Sequence, residues 1–181
     1  MLRATIEVGL CRERASLLDA MTALSPDTLG RGLTRSEADP SSLWSPLDHL
    51  AHLAEFERYV AAVIRRHLAG DPRAFDLAFT EDGTPLPREG LLARAHAMNE
   101  AMIAAHRGES VSRRLALTQV ARAETLALLA SLEDDRFMQR IPGSPFGDGS
   151  LGALLSVLGV HDQVHRRWIE EAVAGAQAVS A

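Results

Sequence analysis

Residues 150–175 read SLGALLSVLGVHDQVHRRWIEEAVAG, and their spacing predicts an amphipathic helix whose inward stripe runs Leu154, Leu158, His161, His165 and Trp168. Two histidines stand where the pattern asks for leucine. Ser150 offers a capping side-chain oxygen just before the stripe, and Gly175 is a plain stop signal. A stripe of this length has to be covered by helices of similar length, so the rest of the chain is read for partners.

Four further segments have helical spacing. They run from about Thr5 to Leu24, from Pro46 to about Ala69, from about Arg88 to His106, and from Ser110 or Ser112 to about Leu132. Ser45 suits the N-cap of the second, with Pro46 at the first helical position where a missing N–H costs nothing. Gly70-Asp71-Pro72 and Gly108 punctuate the chain between helices. The fold class predicted is all-α: four long helices in a bundle, the shorter 88–106 helix bridging two of them, as a single domain over residues 1–181. The connections Pro26 to Leu43, with Gly30, Gly32 and Pro40, then Asp71 to Pro87 and Glu133 to Gly149, are long for a compact domain. They are expected to roof one end of the bundle.

Composition agrees. Of 181 residues 29 are Ala and 26 Leu, against five Phe and one Tyr, a balance that excludes an all-β fold. A net charge of −5 with no basic run longer than Arg-Arg speaks against a nucleic-acid or anionic-membrane surface. Cys11 has no second cysteine to pair with, and residues 1–24 carry too many charges for a signal peptide or membrane span, so a cytoplasmic protein is expected. All 19 basic residues are arginine, as codon bias in a GC-rich genome would produce. Their uniformity still excludes Schiff-base lysine, amine-nucleophile and P-loop lysine chemistry, and it leaves any anionic ligand to arginine.

The histidines carry the chemistry. His161 and His165, at i and i+4, place their Cβ atoms about 6 Å apart on one face, the spacing that lets two imidazoles hold one metal ion. The second helix has a stripe of His49, His52, Phe56, Tyr59 and Val63, which brings a third imidazole to an inward face. Several uncompensated imidazoles in one core cost a few kcal/mol of desolvation, and coordination removes that cost. A zincin would need His-Glu-x-x-His, but Asp162 holds the second position and only 16 residues follow His165. A di-iron bundle would need Glu-x-x-His, which occurs nowhere in this chain. What remains is a three-histidine site with open coordination positions, suited to Zn²⁺ or Ni²⁺, in which His49 and His52 both qualify as third donor.

The order Trp44-Ser45-Pro46, His52-Leu53, Glu57 and then His161-Asp162-Gln163-Val164-His165 resembles the DinB-like superfamily, the four-helix-bundle group that includes bacillithiol transferases and mycothiol-dependent maleylpyruvate isomerases. The resemblance spans nearly the whole chain. It implies metal ligands His52, His161 and His165, leaving His49 as a neighbour at the mouth of the site and a candidate proton shuttle. It also implies that a low-molecular-weight thiol, activated by the metal, attacks an electrophilic small-molecule substrate, and that the chain forms a homodimer. Metal-assisted hydrolysis, or a non-catalytic metal- or ligand-binding role in stress or detoxification, are the other outcomes open to such a site. Asp162, Gln163 or Glu55 are the expected partners of the ligands' second nitrogens. Arg58, Arg122 and Arg166 are expected to be solvated or ion-paired surface residues, and His67, His96 and His106 to lie on the surface or near loops. Asn99 falls in the third predicted helix without a role.

Overall fold

In the computed structural model, residues 2–36 and 41–179 are described, with side chains as far as residue 176. The helices are α1 (Leu2–Thr22), α2 (Pro26–Gly30), α3 (Pro46–Leu68), α4 (Arg88–Ala105), α5 (Val111–Ser131) and α6 (Leu151–Val179). Two two-residue strands, β1 (Thr34–Arg35) and β2 (Leu43–Trp44), pair antiparallel with Thr34 opposite Trp44. Short 3₁₀ turns occupy Asp76–Ala78 and Asp134–Met138. The all-α architecture is as expected, but the first long connection is not a bare loop: it contains α2, β1 and β2. Pro40, one of its expected breakers, lies outside the described residues.

Helix boundaries follow local chemistry. The first helix stops at Thr22, before Ser25, whose hydroxyl accepts the Thr28 N–H at 3.2 Å and starts α2 on Pro26. Ser110, not Ser112, caps α5 by accepting the Arg113 N–H at 3.2 Å. Ser150 caps α6 by accepting from Ala153 at 3.1 Å. That helix runs past Gly175 to Val179, because Gly175 keeps a negative φ and never adopts the left-handed conformation of a glycine stop.

The bundle is two helix pairs, α1 along α6 and α3 along α5, with α4 resting on α3. Apolar residues close one half of the interior around Leu10, Val60, Ile64 and Leu158, and the other around Leu17, Met21, Leu53 and Ile169. Between these two sets α1, α3 and α6 bring Arg14, Glu57 and Asp162 into the interior. Arg122 of α5 joins them, and all four are buried. Arg14 donates through Nε and Nη2 to both Asp162 oxygens (2.9 and 3.0 Å) and through Nη2 to Glu57 (2.8 Å). Arg122 donates from Nε to Glu57 (2.7 Å) and from Nη2 to Asp162 (2.9 Å). The remaining Nη1 groups reach the carbonyls of Thr118 and Leu10. Each of the four long helices supplies one charge, two of each sign, and every carboxylate oxygen is satisfied, the condition under which buried ions are tolerated. Arg122 is therefore not a surface residue: the helix face that carries it is turned inward by two acids that need a cation.

The third loop is held against the second at Gly143, whose φ is +80° and where a Cβ would lie 2.6 Å from that of Ala78. This seats Phe146 against Phe56 and Phe75, with ring centroids 6.2 and 6.1 Å apart. Among the described residues no helix is long and apolar enough to cross a membrane.

Candidate metal centre

The start of α3 sets the site. Ser45 and Asp48 form a reciprocal capping box: the Asp48 N–H donates to the Ser45 hydroxyl (3.2 Å) and the Ser45 N–H to the Asp48 carboxylate (2.8 Å). Burial pushes the Asp48 carboxyl up, but hydrogen bonds from Ser45 and the Arg114 guanidinium outweigh it and hold its pKa below the usual carboxylate range. The first two turns fixed in this way carry His49 and His52, which face α6.

Three imidazoles meet there. His161 Nε2 lies 3.2 Å from His52 Nε2 and 2.9 Å from His165 Nε2, and the three residues offer ligand atoms that all lie within 4.8 Å of one another. Two nitrogens sharing one zinc at bonds of about 2.0–2.1 Å stand roughly 3.3 Å apart in tetrahedral geometry, close to these separations. The Nδ1 atoms of His52 and His161 are buried without a hydrogen-bond partner among the described residues. Burial lowers the pKa of all four histidines here: that of His49 to about 3 and of His161 to about 4, with His52 and His165 held well below the ordinary value, and the neighbouring imidazoles add to the effect. All four are neutral at pH 7, the form that ligates a metal. The donor set, its convergence and its neutrality fit a divalent ion.

His49 lines the same cavity beside this trio. It is 1% exposed, its Nδ1 is 2.6 Å from His165 Nδ1, and its Nε2 is 2.6 Å from the Thr34 hydroxyl. Trp44 packs over His49 and His52, with centroids 5.3 Å apart in each case, and its indole N–H donates to Glu100 of α4 at 3.0 Å. Trp168 meets the other side of His165 at 5.0 Å, and Phe56 closes on His161 at 4.7 Å.

A cavity of about 590 Å³ opens from the imidazoles. Trp44, Trp168 and Ala172 form its walls, Thr34, Arg35 and Ser36 one rim, and His96 and Asn99 the side contributed by α4. Of the three long connections expected to roof one end of the bundle, the first lines this cavity, through β1 and β2, and the other two contribute no lining residue. His96, expected only at the surface or near a loop, is a half-buried wall residue.

The other expected roles fall differently. Asp162 gives its oxygens to Arg14 and Arg122, Gln163 is exposed, and Glu55 pairs with Arg58 and His106, so none of the three serves His52, His161 or His165. Arg58 and Arg166 are ion-paired as expected, Arg166 to Glu170 at 2.8 Å. The arginine at the cavity is Arg35, which makes no ion pair among the described residues. Thr34 had no sequence signal, since it lies in a connection with no periodic pattern. Arg14 and Arg122 had one: each interrupts the inward stripe of its helix.

A family model described as the DinB superfamily matches residues 10–169. In solved structures the chain is similar in fold to an uncharacterised protein from Escherichia coli UTI89, with a TM-score of 0.68 over 97% of this chain and 94% of that one, at 14% identity. Likeness at that identity concerns the fold alone. No curated protein matches the chain.

Proposed function

For a chain that belongs to the DinB superfamily, we propose a metal-dependent thiol S-transferase in which His52, His161 and His165 hold Zn²⁺ or Ni²⁺. The observation that supports it is the convergence of three neutral Nε2 atoms at the floor of an open cavity. An ion held by neutral ligands keeps its full charge, and so holds a thiol as thiolate or lowers the pKa of water near neutrality. The surrounding residues do the rest. Trp44 and Trp168 exclude water from the imidazoles and offer apolar surface to a substrate, while Arg35 at the rim can receive an anionic group of a low-molecular-weight thiol or of the electrophile. In the transfer, the thiolate sulfur forms a bond to an electrophilic carbon, and the bond to the leaving group breaks with its electron pair.

The test is consumption of a small electrophile such as a haloarene by metal-loaded protein, with cysteine as the thiol. Turnover that needs both thiol and metal and stops on chelation is expected. Metal-dependent consumption without thiol would mark a hydrolase instead, and metal uptake with no turnover for a range of electrophiles and thiols a binding protein.

A further inference from the structure

We propose that His49 is a positioning residue that fixes the tautomer of His165, so that His165 presents a bare Nε2 to the metal. This rests on the three-histidine metal site proposed above and assigns a role within it that the ligands themselves do not fill.

The two Nδ1 atoms face each other at 2.6 Å in a buried contact, so the line between them holds one proton. Two lone pairs there repel, and two N–H groups collide. If the proton belongs to His165, its Nε2 is free to ligate. If it belongs to His49, neutral His165 must carry its own proton on Nε2, where it blocks the metal.

The far end of the chain of hydrogen bonds decides between these states. The Thr34 hydroxyl lies 3.3 Å from the backbone carbonyl of Trp44, a group that only accepts. With the hydroxyl proton on that carbonyl, which also accepts the Leu33 N–H at 2.9 Å, the Thr34 oxygen accepts from His49 Nε2–H at 2.6 Å. With its proton on Nε2, neutral His49 has a bare Nδ1 and accepts from His165 Nδ1–H. His165 Nε2 is left bare and faces His161. Polarity thus runs from a carbonyl of β2, through β1 and α3, to the ligand on α6.

Ligating histidines ordinarily donate their second N–H to a carboxylate or carbonyl. The carboxylates near the ligands in sequence are committed elsewhere, Glu57 and Asp162 to Arg14 and Arg122, Glu55 to Arg58 and His106, and Asp48 to Arg114, and among the described residues no carboxylate bonds to Nδ1 of His165. An imidazole with its own direction set by Thr34 takes that place.

The experiment combines long-range ¹H–¹⁵N imidazole spectra of the full chain, metal-free and zinc-loaded, with zinc affinity measured by chelator competition for the parent, His49→Ala, His49→Asn and Thr34→Val. Expected are an Nδ1–H tautomer for His165 and an Nε2–H tautomer for His49 in the parent. A loss of about 10–100-fold in zinc affinity is expected in His49→Ala at unchanged stoichiometry and helicity. His49→Asn, whose amide oxygen can accept near the position of Nδ1, should recover most of it, and Thr34→Val should shift His165 toward mixed tautomers. An Nε2–H tautomer for His165 in the metal-free parent overturns the inference, and that spectrum needs no variant to fold. Zinc bound as tightly by His49→Ala as by the parent overturns the positioning role alone. A parent that takes up no zinc overturns the metal site itself.

Discussion

Asp162 follows His161 in sequence, yet its carboxylate turns away from the imidazoles and meets Arg122 at 2.9 Å inside the bundle. One residue of α6 faces the candidate metal centre and the next clamps the helix to α1 and α5. Because Glu57 and Asp162 sit on the two ligand-bearing helices, Arg14 and Arg122 neutralise a repulsion that would otherwise drive those helices apart.

Removing one member of this quartet strands a buried charge. Arg122→Met is expected to cost about 3–5 kcal/mol in urea unfolding. Adding Asp162→Leu should return part of that loss, since Arg14 and Glu57 then remain as a matched pair. A double variant no more stable than the sum of the single effects allows would show that the four charges act independently.

Acid should destabilise the metal-free protein. Burial lowers the pKa of His49, His52, His161 and His165 in the folded chain, below the ordinary 6.5 that the unfolded chain regains. The unfolded state therefore takes up protons first: stability is full above about pH 6.5 and falls as the pH drops toward 4, by about 1.4 kcal/mol per pH unit for each histidine titrating only when unfolded. Thermal unfolding at about pH 7.5 and about pH 5 checks this, with a lower midpoint at the acid value and a smaller drop in His49→Asn. Equal midpoints would count against the neutral, buried cluster.

The cap of α3 is the local device that holds two of these histidines. Ser45→Ala removes the acceptor for Asp48 N–H and is expected to cost about 1 kcal/mol, whereas Ser45→Gly should cost only a few tenths. Urea midpoints of the two variants, compared at equal slope, give the answer. Equal losses would mean that the hydroxyl serves another purpose than capping.

Much of this was legible in sequence because it depended on periodicity and punctuation. The four long helices follow from stripes such as Leu154, Leu158, His161 and His165, and the caps at Ser45, Ser110 and Ser150 from residue type and position. The pairing of His52 with the α6 histidines needed a family pattern, since His49 lies on the same stripe one turn earlier. What periodicity could not reveal was long-range polar pairing. Thr34 meets His49 through two-residue strands too short to leave an alternation pattern, and Arg122 is drawn inward by acids 65 and 40 residues away. Charged residues on an inward stripe are the trace such pairing leaves, and here Arg14 and Arg122 left it.

Metal analysis of protein purified without a polyhistidine tag, run beside His52→Ala and His161→Ala, tests the three-histidine centre most directly. The parent should hold about one equivalent of zinc or nickel, and each variant should lose it while keeping its helicity. Stoichiometric metal that persists in both variants would contradict the assignment.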